Sequence, residues 1–289
     1  MLNNRNFTCE YGTIEPVTPL IRRVVARNPG PFTFHGTGTY VVGHGKVAVI
    51  DPGPDLTEHV DALLGALAGE TVTHIMVTHT HRDHSPAAAA LKRATGAPTY
   101  GYGPHGVHGE TVEAGADHDF VPDHAMGHGD AVDGQGWRLE AVHTPGHTSN
   151  HLCFALPEER TLFSGDHVMG WSTTVIAPPD GDMADYMASL ALLHRRDDGV
   201  YWPTHGGAIR DPRAHVGALI EHRNGRRDAI MAALASGAMS PTDLVARIYL
   251  DLDPRLVHAA ARSVMAHLIE LRDRGAVVAE GERWRRLAV

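Results

Sequence analysis

Thr78-His79-Thr80-His81-Arg82-Asp83-His84 follows directly on the apolar run Thr73-His74-Ile75-Met76-Val77, and its reading decides the fold. The pattern His-x-His-x-Asp-His sets three imidazoles and a carboxylate within six residues. Such spacing is too tight for one face of a helix and too polar for a buried strand, so the segment reads as a loop between a strand and a helix. Imidazole nitrogens and carboxylate oxygens crowded into one loop suit a cation of the zinc type. A solvated histidine-rich loop is the bland alternative. Three more stretches, each a strand end or tight turn with one ligand-type residue, argue against it: Thr144-Pro145-Gly146-His147-Thr148, Ser164-Gly165-Asp166-His167 and Pro203-Thr204-His205-Gly206.

Outward from that loop, short apolar strands alternate with helices. Tyr40–Val42 and Val47–Ile50 flank the turn Gly43-His44-Gly45, and Asp51-Pro52-Gly53-Pro54 breaks the second strand. Helices are expected over Glu58–Leu67 and Ser85–Ala94, and strands near Trp137–His143, His151–Leu156 and Thr161–Phe163. Strands paired in hairpins and interrupted by helices predict an α/β sandwich with the helices outside. Residues 101–135, rich in Gly, His and Asp, read as a long surface excursion, with His105, His108, His118, His124 and His128 as surface histidines. Helices are expected over His215–Ala235, Thr242–Leu250 (Ser240 as N-cap) and Pro254–Arg274, then a hairpin over 276–284. That order is the order of a winged helix-turn-helix. The expected division is a catalytic domain over 1–210 and a winged-helix-like domain over 211–289.

The chain has 289 residues, 43% of them hydrophobic and 20% charged, enough for a sizeable core and unlike a disordered tail. No apolar run approaches the roughly 18 residues that cross a membrane, and the first residues lack the apolar stretch of a secretory signal. Two cysteines, Cys9 and Cys153, give no disulfide framework, so inert thiols and a cytoplasmic setting are expected. Residues 1–208 hold 12 basic against 24 acidic residues, whereas 209–289 hold 13 arginines against 10 acids. An acidic body argues against broad binding of a polyanion. The 22 histidines exceed what any single site uses, which puts metal chemistry first among the activities to test.

The four motifs together resemble the metallo-β-lactamase superfamily, and in their full order its dinuclear branch that includes glyoxalase II. The resemblance implies the four-layer αβ/βα sandwich of that superfamily. It implies His79, His81 and His147 as ligands of one metal ion, Asp83, His84 and His205 as ligands of a second, and Asp166 as the bridge between them. Two zinc ions are the expected cofactors, with iron or manganese as alternatives, and a hydroxide shared between them the expected nucleophile. Asp83 would also accept or relay a proton. Asp51 would orient a ligand imidazole, and His151 would support or pack rather than ligate. His167, one residue past Asp166 and so facing the opposite way, is not expected among the ligands.

His81-Arg82-Asp83-His84-Ser85, the Thr173-Thr174-Val175 stretch, Asp185–Leu190 and His222-Arg223-Asn224 further resemble the β-lactamase-like protein 2 family, which also ends in a winged-helix-like domain. That family includes a metal-dependent endoribonuclease acting on single-stranded RNA and fungal thioesterases that release polyketides from carrier protein. Exported β-lactamases usually carry cysteine at the second metal, where this chain has Asp166, so antibiotic destruction is not expected. Hydrolysis of an ester, thioester or lactone, small or carrier-linked, is the leading expectation. Cleavage of single-stranded RNA is the alternative, and a metal-loaded sensor whose winged helix meets DNA is a third. Arg223, Arg226 and Arg227 read as a solvated helix face pairing with Glu221 and Asp228, or as a contact to phosphate or carrier protein at the cleft rim. The tail reads as a wall of the cleft or a homodimer contact.

Overall fold

The computed structural model describes residues 4–106 and 115–287. A mixed sheet runs β1 (Glu15–Pro16), β2 (Ile21–Val25), β3 (Gly38–Val42), β4 (Lys46–Ile50), β5 (Thr71–Met76), β6 (Thr99–Gly101) and β7 (His124–Ala125), in that spatial order. It is antiparallel through β4 and parallel from β4 to β7. A second sheet joins β8 (Ala131–Gly134), β9 (Trp137–His143), β10 (Leu152–Leu156), β11 (Thr161–Gly165) and β12 (Val200–Pro203), with only β11 and β12 parallel. Parallel neighbours need a crossover, and the chain supplies α1 (Thr57–Ala66) and α2 (Ala87–Thr95) on the first sheet and α3 (Met183–His194) on the second.

The period of two along each strand explains the layering. On β3 and β4, Tyr40, Val42, Ala48 and Ile50 face the second sheet, where they meet Leu139, Leu152, Phe154 and Phe163. The alternate residues Val41, Val47 and Val49 face outward against Leu67, Ala88 and Leu91. On β10, Cys153 and Ala155 likewise face outward, against Tyr186 and Leu190 of α3. Both faces of both sheets are covered, so these strands read as unbroken apolar runs. The layers are helix, sheet, sheet, helix.

Behind the second sheet, α4 (Pro212–Leu234), α5 (Pro241–Ile248), α6 (Val257–Asp273) and the hairpin β13 (Val277–Glu280) with β14 (Arg283–Arg286) complete the chain. Ser240 caps α5 through a full capping box with Asp243. Leu244, Val264, Leu268 and Trp284 close a core of their own with Ile230 and Leu234 of α4. The first half of α4 belongs elsewhere: Val216 and Leu219 join the core beneath the second sheet. Among the described helices, none is long and apolar enough to cross a membrane.

Three expectations need correction. Residues 101–135 are not one surface excursion, because β7 and β8 extend both sheets there and Met126 enters the central core. His105 is buried, its Nδ1 2.9 Å from Thr80 Oγ1, whereas His118, His124 and His128 are exposed as expected; His108 lies outside the described residues. Arg223, Arg226 and Arg227 are no solvated face. Arg223 is buried, Arg226 lies 4.0 Å over the Tyr249 ring, and Arg227 faces Glu270 at 3.6 Å.

His59 shows how α1 is fastened. The Thr39 hydroxyl gives its one proton to the Asp51 carbonyl at 2.7 Å, so it accepts from His59 Nε2 at 2.9 Å, while His59 Nδ1 is buried without a hydrogen-bond partner. Burial lowers this imidazole to about 4. The folded chain therefore binds the proton less readily than the unfolded one, and His59 contributes stability that is present above about pH 6.5 and lost as pH falls toward 4. From pH 7 to pH 5 this costs on the order of 1 kcal/mol. Urea unfolding at the two pH values should show a smaller difference in the His59→Gln variant than in the parent chain.

Candidate metal centre

All seven expected donors come together at one edge of the sandwich. His79, His81, Asp83 and His84 leave the end of β5, His147 lies in the turn joining β9 to β10, Asp166 follows β11 and His205 follows β12. The turn at His147 demands glycine: Gly146 has φ +135°, and a Cβ there would fall 2.4 Å from the Tyr186 Cα.

The donors form two groups. His79 Nε2 stands 2.9 Å from His81 Nδ1, and His147 Nε2 stands 3.1 Å from the same atom. In the other group, Asp83 Oδ2 is 3.1 Å from His205 Nε2 and 3.4 Å from His84 Nε2. Asp166 lies between the two. Its Oδ1 is 3.4 Å from His205, and its Oδ2 is 3.6 Å from His84 and 3.8 Å from His147.

The atoms behind the rings set their direction. His147 Nδ1 faces the Val175 carbonyl at 2.7 Å and His205 Nδ1 the Gly36 carbonyl at 3.1 Å. A carbonyl accepts only, so each ring donates from Nδ1 and turns Nε2 toward the centre. Asp51 does the most. Its carboxylate accepts from Thr78 N at 2.7 Å, Thr78 Oγ1 at 2.8 Å and Thr204 Oγ1 at 3.0 Å, and meets His84 Nδ1 at 2.9 Å. It does so from a left-handed backbone, φ +49°, a conformation that aspartate tolerates better than most residues. His151 holds the Asp166 peptide, its Nε2 accepting from Asp166 N at 3.2 Å. His167 points away against Tyr186, at a ring separation of 4.6 Å, and stands in neither donor group. Burial pushes the Cys153 thiol up to about 12 and leaves it inert.

Titration divides the rings. His79 is held well below the usual imidazole range by burial and by His84, His81 and His147 around it. Burial and His81 lower His147 to about 4. Burial would lower His84 and His205 too, but Asp83, Asp166 and Asp51 raise His84 well above its ordinary value, and Asp166 and Asp83 raise His205 to about 10. Against burial, the same two imidazoles hold the Asp83 and Asp166 carboxyls well below the usual carboxylate range.

These residues fit a pair of divalent cations. Three nitrogens converge on one point, and nitrogens on a tetrahedral zinc at about 2.0–2.1 Å would stand about 3.3 Å apart, close to the 2.9 and 3.1 Å found here. His84 Nε2 and Asp166 Oδ1 are buried without a hydrogen-bond partner, and such atoms are costly unless something charged meets them. Among the described residues, no lysine or arginine pairs with either carboxylate.

Residues 33–205 match the profile of the metallo-β-lactamase superfamily. The chain belongs to that superfamily. Residues 240–284 match the β-lactamase associated winged helix domain. A β-lactamase-like protein 2 homolog of Caenorhabditis elegans is 32% identical over 257 residues, 86% of this chain and 82% of the relative. An atrochrysone carboxyl ACP thioesterase of Claviceps purpurea is 30% identical over 254 residues, 83% of this chain and 75% of the relative. A metallo-β-lactamase family protein from Thermus thermophilus superposes with a TM-score of 0.78 at 25% identity, covering 94% of this chain and 100% of that one. As a metallo-β-lactamase superfamily member the chain is a hydrolase.

The motif reading missed the supports that carry no side-chain signal. The carbonyls of Gly36 and Val175 act through the backbone, and Thr37, whose hydroxyl donates to Asp83 Oδ2 at 3.2 Å, lies 46 residues from its partner. Thr78 and Thr204 each precede a histidine of the centre, a local pairing from which both could have been read.

Asp51→Asn keeps the shape and the tolerance for a left-handed backbone but sets an NH2 against donors. Unfolding by urea should show a loss of about 2 kcal/mol, and competition with a chromogenic chelator a zinc affinity lower by about 10–100-fold.

Proposed function

We propose that this chain is a dinuclear zinc hydrolase of acyl thioesters, the acyl group being carried on a coenzyme or a carrier protein. The observation that carries this reading is Asp166, set between two convergent donor groups and within 3.4–3.8 Å of ligand atoms in both. His79, His81 and His147 would hold one ion and Asp83, His84 and His205 the other, with Asp166 shared; imidazole and carboxylate donors without cysteine suit zinc, and also iron or manganese. Two ions held there would acidify a water molecule and polarise the scissile carbonyl.

The remaining work belongs to side chains. Asp83 keeps 26% of its side chain exposed, against 11% for Asp166 and 1% for His205, so it is the carboxylate turned toward incoming water. Thr37 Oγ1 holds it in place, where its carboxylate accepts a proton from the attacking water and returns one to the leaving group. The choice of thioester over other acyl substrates is supported by the fungal relative, named as a carrier-protein thioesterase, whose likeness covers 83% of this chain.

Zinc-loaded protein should release thiol from an acyl-pantetheine substrate, and Asp166→Ala should lower that rate by about a hundredfold or more. A labelled single-stranded RNA serves as the parallel substrate and should stay intact. Full turnover in the Asp166→Ala protein would refute the metal assignment. RNA cutting without thiol release, weakening steeply with salt, would replace the thioester reading by a ribonuclease.

A further inference from the structure

Thr173-Thr174-Val175, of which the Val175 carbonyl already serves His147, and His222-Arg223-Asn224 meet in space. Arg223 of α4 is 3% exposed and donates from Nη2 to the Thr174 carbonyl, while its guanidinium lies 5.1 Å over the Tyr186 ring. Among the described residues, no carboxylate pairs with it. A buried cation held only by a carbonyl and an aromatic face is costly to keep.

What it touches gives the reason. Thr174 Oγ1 donates to the Asp166 carbonyl at 2.6 Å. The next carbonyl, Val175 O, receives the Nδ1 proton of His147 at 2.7 Å. The next amide, Ile176 N, donates to Ser263 Oγ of α6 at 3.3 Å, and Arg262 of the same helix donates to the Pro178 carbonyl at 2.9 Å. Tyr186 closes the circuit, its hydroxyl donating to the His167 carbonyl at 3.2 Å and its backbone crowding Gly146. Three successive residues thus link the C-terminal helices to the two ligands that lie off the His-x-His-x-Asp-His loop and border the first metal.

We propose that Arg223, assisted by Ser263, is a positioning residue of the metal centre: it fixes the 174–176 backbone and through it the aim of His147 and the placement of Asp166. This rests on the dinuclear reading above. The C-terminal helices are then part of how the metal site is built.

Zinc affinity by chelator competition and melting of the metal-free protein separate this role from plain packing. Arg223→Met should weaken the binding of one zinc ion by about tenfold or more while leaving the metal-free melting temperature unchanged or higher, because an apolar chain replaces an unpaired buried charge. Arg223→Lys, which keeps a donor, should recover part of the affinity. Arg226→Met, three residues along on the Tyr249 side, should lower the melting temperature and leave zinc affinity at the parent value. Parent-level binding of both ions by Arg223→Met would overturn the proposal, as would affinity and melting falling in step in both variants. If Arg223→Met does not fold, parent-level affinity in both Arg223→Lys and Ser263→Ala overturns it. A parent chain that takes up no zinc removes the metal reading itself, a result seen before any variant is made.

Discussion

Five imidazoles and two carboxylates, most of them out of water, share a space a few ångströms across, and the rest of the structure answers that crowding. Hydrogen bonds among the rings alone cannot satisfy it, since His81 Nδ1 faces two other ring nitrogens at once. The rings around His81 are driven toward neutrality, while His84 and His205 hold protons against the carboxylates. His79 and His147 thus turn neutral nitrogens to the centre, whereas His84 and His205 balance the charge of the two carboxylates.

Directional control comes from behind. Asp51 joins the loop after β5 to the loop after β12 through Thr78, His84 and Thr204, two loops held by one carboxylate. Carbonyls at Gly36 and Val175 do the same for His205 and His147. Asp51, Gly36, Thr78 and Thr204 lie at or beside strand ends, where a twisted sheet places loops side by side and the ladder no longer claims every backbone group, and Val175 lies in the connection from β11 to α3. The sandwich supplies rigidity and its edge supplies free polar atoms.

The donors were legible because their density has few rival explanations: a loop cannot gather His79, His81, Asp83 and His84 for packing alone. The central strands were legible through their apolar runs. β2 was not, because Ile21-Arg22-Arg23-Val24-Val25 buries an arginine whose partners, Glu15 on β1, the Phe7 ring and the Gly206 carbonyl, lie outside the strand. α3 carries little helical periodicity because it is covered on more than one side, by the second sheet and by α4. His105 has the composition of a surface loop around it, yet Thr80 and Asn150 draw its segment inward. Arg223 misled for the same reason. Its sequence neighbours Glu221 and Asp228 suggest solvent, and only tertiary structure shows the carbonyl it serves.

α4 has a consequence of its own. Its 23 residues make a rod about 34 Å long, and its two halves are embedded in different cores, Val216 and Leu219 in one and Ile230 and Leu234 in the other. A rod clamped at both ends cannot hinge. The winged-helix portion is therefore no tethered module free to swing over the cleft or to be exchanged at a linker. It is geared to the sandwich, so a force applied at one end would be felt as torque at the other.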